Sequence, residues 1–158
     1  MDIFSLLWLI AVILAGLAAG QMLGELLLIG RFQSWFFETG NADMFSKSYV
    51  LFRKTKRPNR LFHAVYVAAI LVDTIYAAAL LLAGRPGLLP VIAAALQWLF
   101  LVVFYASGFA GIEKKLFAGS DSKQLGDRFL RMNIPSLCIY SLLLCAAFCI
   151  LVIMRIQF

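Results

Sequence analysis

Two acids stand inside apolar stretches of this chain. Glu25 lies near the end of the run from Ile3 to Ile29, and Asp73 interrupts a second run. An ionisable side chain at the centre of a membrane helix costs about 2.5–3.5 kcal/mol on insertion scales, so it is expected to face protein or a wet cavity and to mark function. The one histidine, His63, precedes Asp73 on the same run. A carboxyl group beside an imidazole can pass a proton to it and back near neutral pH, which makes Glu25 and His63 the candidate acid–base pair. Gln21, Tyr66, Tyr105 and Asn133 are the candidate groups that orient a bound molecule around it. Asp73 and Gln97 form a second candidate polar level.

Spacing carries this grouping. Asn59, His63, Tyr66, Ile70, Asp73 and Ala77 progress by three or four residues and share one helical face. At ~1.5 Å per residue, His63 lies roughly 5 Å inside its entry point and Glu25 roughly 8 Å before its exit at Gly30, comparable depths. Asp73 lies roughly 20 Å from the same side, near the level expected for Gln97 and Ser141. A second reading makes Glu25 and Asp73 packing anchors, satisfied by Gln21, Thr74, Gln97 or tyrosine hydroxyls. One histidine with two separated carboxylates falls short of the usual ligand sets, so no metal site is expected, and nothing in the sequence names a cofactor. Cys138, Cys145 and Cys149 form one stripe of a single run and are poorly placed to bridge one another; they read as packing residues.

The elements that must position these residues are membrane helices. Of 158 residues, 63% are hydrophobic and only 14% are charged, which excludes an ordinary soluble domain. Segments of about 20 apolar residues match a ~30 Å hydrocarbon core, and four are legible, near 3–30, 61–83, 87–112 and 134–154. The expectation is therefore an all-α membrane protein, a four-transmembrane-helix bundle forming a single domain over 1–158. The first segment lacks a basic leader and is too long for a signal-peptide core, so it should stay as a helix.

Basic residues set the orientation. Arg31, Lys47, Arg53, Lys54, Lys56, Arg57 and Arg60 fall between the first two spans, and Lys114, Lys115, Lys123, Arg128 and Arg131 between the last two. Only Arg85 and Arg155 lie elsewhere. The positive-inside rule then puts both long connections in the cytoplasm and both termini outside the bacterial inner membrane. The net charge of +6 is read as this signal and not as nucleic-acid binding, since no basic patch sits on a soluble module.

The connections have features of their own. Trp35, Phe36 and Phe37 suit the headgroup region. Gly40 is a helix stop, after which Asn41 or Asp43 caps a short helix with Phe45, Tyr49 and Phe52 on one face. This reads as an amphipathic interfacial helix, ended by Pro58 before Asn59 caps the second span; a plain basic linker is the alternative. Arg85-Pro86-Gly87 is a tight turn, Ser120 to Asn133 a second surface helix, and Pro135 the first turn of the last span. Gly16, Gly20 and Gly24 recur every four residues and allow close helix approach, within the bundle or between copies; Ser107 and Gly111 offer a shorter pair.

The layout includes a glycine-rich first helix, a longer polar connection and two hairpin helices. Arg128-Phe129-Leu130-Arg131-Met132-Asn133 then leads into the last helix. It resembles the small four-helix membrane family of unknown function that includes the fungal anthrone oxygenases. That family commonly places an aromatic-Asn element before the final helix, where this chain has Met132-Asn133. The resemblance implies oxidation of a hydrophobic aromatic substrate, with Asn133 and His63 as the residues to examine.

The leading expectation is a protein that binds a hydrophobic or amphipathic small molecule entering from lipid, with proton-assisted transformation as its extension. Its rivals are an accessory or assembly subunit of a larger membrane complex and a small oligomeric proton-coupled transporter. Whether the chain is an enzyme is open at this point. The orientation has a direct check: an alkaline phosphatase fusion should be active at the C-terminus and inactive near Lys54, and the reverse pattern would invert the topology.

Overall fold

Asp2 begins the first helix. Its carboxylate accepts a hydrogen bond from the Ser5 backbone N–H at 2.8 Å, capping an orphan donor of the first turn. The bond holds this carboxyl below the usual carboxylate range. The computed structural model describes residues 2–41, 44, 47–48, 51, 55, 59–85, 87–108, 111–112, 114–115, 118 and 123–156. Helix α1 spans Ile3–Gly24, a π-helical segment follows at Glu25–Gly30, and α2 spans Arg31–Glu38. Then come α3 (Asn59–Leu82), α4 (Leu88–Ala106) and α5 (Lys123–Ile156). Four helices are long and apolar enough to cross a membrane, over Ile3–Leu28, Leu61–Leu82, Leu88–Ala106 and Arg131–Met154.

These helices form the expected bundle. Each packs on two neighbours, in the order α1, α3, α4, α5 and back to α1. Large side chains such as Ile13, Leu17, Leu71, Val102 and Leu142 point outward, as a bilayer requires, while the interior seam is built from small residues. Ala11, Ala15, Ala18 and Ala19 of α1 are buried, with Ala69 of α3, Ala93 of α4 and Ala147 of α5. Trp8 adds a tie from α1 to α5, its indole N–H donating to the Leu151 carbonyl at 2.8 Å. At the hairpin end, Gly84 takes φ +67 and the Arg85 guanidinium lies 5.4 Å from the Phe4 ring centroid.

Several boundaries differ from expectation. The third span stops at Ala106 instead of 112, because Gly108 adopts the left-handed region (φ +72) and breaks the helix. The surface helix expected before the last span and the span itself are one continuous helix of 34 residues. Pro135 thus lies inside that helix instead of its first turn. Pro135, which has no N–H to donate to the carbonyl four residues earlier, and Arg131 are both exposed, on the outer face of the helix. Gly40 ends α2 at φ +72, as expected. Phe36 packs inward and is buried, while Trp35 stays exposed. Of the proposed interfacial helix, Met44, Lys47, Ser48, Leu51 and Thr55 are helical; Phe45, Tyr49, Phe52 and Pro58 lie outside the described residues, as do Ser120 and Asp121.

The glycine series divides. A Cβ on Gly16 would stand 3.1 Å from the Phe148 ring of α5, so Gly16 lies directly against that ring. Gly20 and Gly24 have nothing within 4 Å of such an atom. The close packing expected of all three within the bundle therefore falls to Gly16 and the neighbouring alanines. Gly16→Leu should cost about 1–3 kcal/mol through overpacking and lower the melting temperature in detergent, while Gly20→Leu should leave the isolated bundle's melting temperature near wild type.

Candidate functional site

The centre of the bundle holds a polar pair. Asp73 of α3 is 1% exposed and Gln97 of α4 is 0% exposed. Gln97 Nε2 donates to Asp73 Oδ2. The next residue on each helix makes a second tie: Trp98 Nε1 donates to Thr74 Oγ1 at 3.1 Å, and Thr74 in turn donates to the Ile70 carbonyl at 2.7 Å. Consecutive residues on a helix point about 100° apart, so one bond faces the interior and the other the outer surface. Together they clasp α3 to α4. The pair separates two apolar layers, one with Ala69, Phe100, Tyr140 and Leu144, the other with Ala15, Tyr76, Ala93 and Leu151.

A second polar region lies toward the end that bears the basic connections. Glu25 is half-buried and stands where α1 gives way to the π-helical segment. The π-helical pattern carries six residues to Gly30, which is buried, and Arg31 N–H then closes onto the Leu28 carbonyl. π-Helical turns are uncommon and concentrate at functional sites, because the wider turn displaces side chains and carbonyls from their α-helical positions.

Aromatic rings form the wall beside it. Phe100 packs on Tyr66 and Tyr140, each with centroids 5.4 Å apart, and Phe104 meets Tyr140 at 5.7 Å. The Tyr140 hydroxyl lies 3.1 Å from Ser107 Oγ, which also donates to the Phe104 carbonyl at 2.9 Å. Asn133 is buried on α5.

The residues expected at the site are thus distributed. Asp73 and Gln97 are brought together at the centre. Glu25 and Tyr66 are both half-buried, on the π-helical segment and on α3, and Gln21 is half-buried one turn before Glu25. His63 is on the exposed surface of α3, and Tyr105 is 65% exposed with its ring edge-on to Phe104. The three cysteines carry free thiols, Cys138 and Cys149 exposed. Among the described residues, no group of three His, Cys, Asp or Glu side chains gathers as a metal site would need.

Sequence reasoning missed Tyr140, Phe100 and Phe104 because aromatic residues inside apolar spans look like packing. It also missed the Trp98–Thr74 tie, although the shared separation of 24 residues in both clasp bonds was there to be found. Comparison with protein-family models, curated proteins and solved structures finds no match to this chain.

The clasp makes a double-mutant prediction. Gln97→Leu leaves Asp73 buried without its donor and should be strongly destabilising, while Asp73→Leu strands the Gln97 amide at about 1–3 kcal/mol. The double replacement should be less damaging than the sum of the two, measured as melting temperature in detergent. Additive losses would mean that the two side chains do not act as a pair.

Proposed function

We propose that this protein sits in the bacterial inner membrane with its basic connections in the cytoplasm, and binds a hydrophobic or amphipathic small molecule. The molecule enters from lipid into the half of the bundle nearest those connections. Glu25 is its proton donor or acceptor, and Tyr66 and Asn133 help to orient it. The observation that carries this reading is the switch from α- to π-helix at Glu25. Six π-helical residues begin at the one acid of the span, and an uncommon backbone form at an intramembrane ionisable group is a functional signature on two counts. The Phe100, Phe104 and Tyr140 rings supply an apolar, polarisable wall suited to a flat ligand. The resemblance in layout to the anthrone oxygenase family points the same way, toward an aromatic substrate, with His63 as a further residue to test.

An accessory role in a larger complex or a homo-oligomer is the second reading. The open surface at Gly20 and Gly24 favours it, beside the exposed Leu17 and Leu27.

The ligand reading is tested with a hydroxylated naphthalene added to the detergent-solubilised protein and followed by tryptophan fluorescence and native mass spectrometry. Saturable one-to-one binding is expected. Glu25→Gln should weaken it by at least tenfold while leaving the melting temperature within a few degrees, a loss of about 1.4 kcal/mol or more in binding. Undiminished binding to Glu25→Gln would remove this acid from the site. Loss of activity or binding only in Gly20→Leu, with Glu25→Gln unaffected, would favour the accessory role.

A further inference from the structure

The central clasp is incomplete as a hydrogen-bonded unit. Gln97 Nε2 and Asp73 Oδ2 are paired, but Asp73 Oδ1 and Gln97 Oε1 are buried and have no hydrogen-bond partner. Both unpaired atoms are acceptors when the carboxyl group is ionised. Such a pair in a low-dielectric interior is costly, since each orphan forfeits its hydration without replacement. A neutral carboxylic acid changes the count. Its O–H becomes a donor, and the acid and the primary amide can then join side by side through two bonds, N–H to one oxygen and O–H to the other.

We propose that Asp73 and Gln97 form a proton-binding site at the middle of the bundle, in which one proton carried on Asp73 Oδ1 is donated to Gln97 Oε1. The step is a simple addition: a proton taken from water forms the O–H bond on the Asp73 carboxylate, and nothing is oxidised or reduced. One proton satisfies both orphan oxygens at once. A metal cation such as calcium needs about six oxygens, and the pair offers three, one of them already bonded to Gln97 Nε2, so the proton is the occupant that fits.

Among the described residues, no neighbouring charge takes its place. The helices packed on α3 are α1 and α4. α1 lines the interior with alanines, and its ionisable residues Asp2 and Glu25 lie at or beyond its two ends. α4 contributes Gln97, and its one titratable residue, Tyr105, is exposed at the far end. On α3 itself the nearest titratable groups are Tyr66 and Tyr76, and across the bundle on α5 they are Tyr140 and Cys145. Ser141 Oγ, also on α5, is the third buried atom without a partner, and its hydroxyl adds hydrogen-bonding capacity to the α5 side of the interior. Loss of the proton leaves a carboxylate with the Gln97 amide as its donor and returns both oxygens, Asp73 Oδ1 and Gln97 Oε1, to their unpartnered state.

Infrared spectroscopy of the purified full chain in lipid tests this without knowledge of any ligand. A protonated carboxylic C=O band insensitive to bulk pH near neutrality is expected in the wild type, absent in Asp73→Asn and shifted in Gln97→Leu. As a second readout on the wild type alone, dicyclohexylcarbodiimide should label Asp73, located by peptide mass spectrometry. The reagent takes up the acid's O–H across its C=N bond, so only the protonated form reacts. A missing band together with an unlabelled Asp73 would overturn the proposal. A melting temperature raised by sodium or potassium chloride in the wild type, and not in Asp73→Asn, would replace the proton with a metal cation.

Discussion

Between helices in a bilayer, apolar contact brings little of the driving force it supplies in water, because lipid tails are as apolar as leucine. Association must come from close packing and from hydrogen bonds, and the Asp73–Gln97 bond is where both meet. It sits between the two apolar layers, at the depth farthest from water. Interhelical hydrogen bonds in membrane proteins contribute about 0.6 kcal/mol on average and up to about 1.7. A charged acid at the helix centre costs about 2.5–3.5 kcal/mol. One bond from Gln97 therefore does not offset a charged Asp73, and the shared proton removes the larger of the two quantities. Position follows from the same balance, since α3 and α4 cannot slide or rotate without separating the inner bond or the Trp98–Thr74 bond beside it.

Small side chains let the clasp close. Alanines at 11, 15, 18 and 19 bring α1 against its neighbours, and Gly16 admits the Phe148 ring. The bulky residues that would hold those backbones apart are sent to the outer surface. This division explains why the buried seam of α1 is lined by alanine while two of its three glycines remain open. A glycine in a helix lowers its stability relative to alanine, so an open glycine with no packing partner is not required by the bundle itself.

Much of this was legible in the sequence, and the limits are physical. Span number followed from apolar length, and depth put Asp73 level with Gln97 and Ser141, of which the structure pairs it with Gln97. Facing was not legible on α1. Ala15 and Gly16 are adjacent and belong to two small-residue series at intervals of four, Ala11-Ala15-Ala19 and Gly16-Gly20-Gly24, of which the structure buries the first. Helix α5 reads as two pieces because polarity changes near Asn133, yet a change of polarity does not oblige the backbone to break. The exposed position of Pro135 lets the helix continue. The outward turn of His63 and Tyr105 was likewise hidden, since depth fixes a level and not a direction.

The π-helical segment has no sequence signature, and its cause lies in what it connects. Glu25 is half-buried where the segment packs on α5, while Phe36, further along the same continuous helical path, reaches its buried position where α2 meets α5. An α-helix fixes the angle between those two side chains at about 100° per residue. Widening the turns between them alters that angle without breaking the helix, and Phe36 is then held by edge-on rings at 4.8 Å from Phe32 and 4.9 Å from Trp35. The buried ring of α2 and the acid of the first span are thus joined through one continuous helical path. A change that restored α-helical winding over Glu25–Gly30 would have to swing either Phe36 out of its buried seat or Glu25 out of its half-buried position, so the backbone form and the placement of these two side chains stand or fall together.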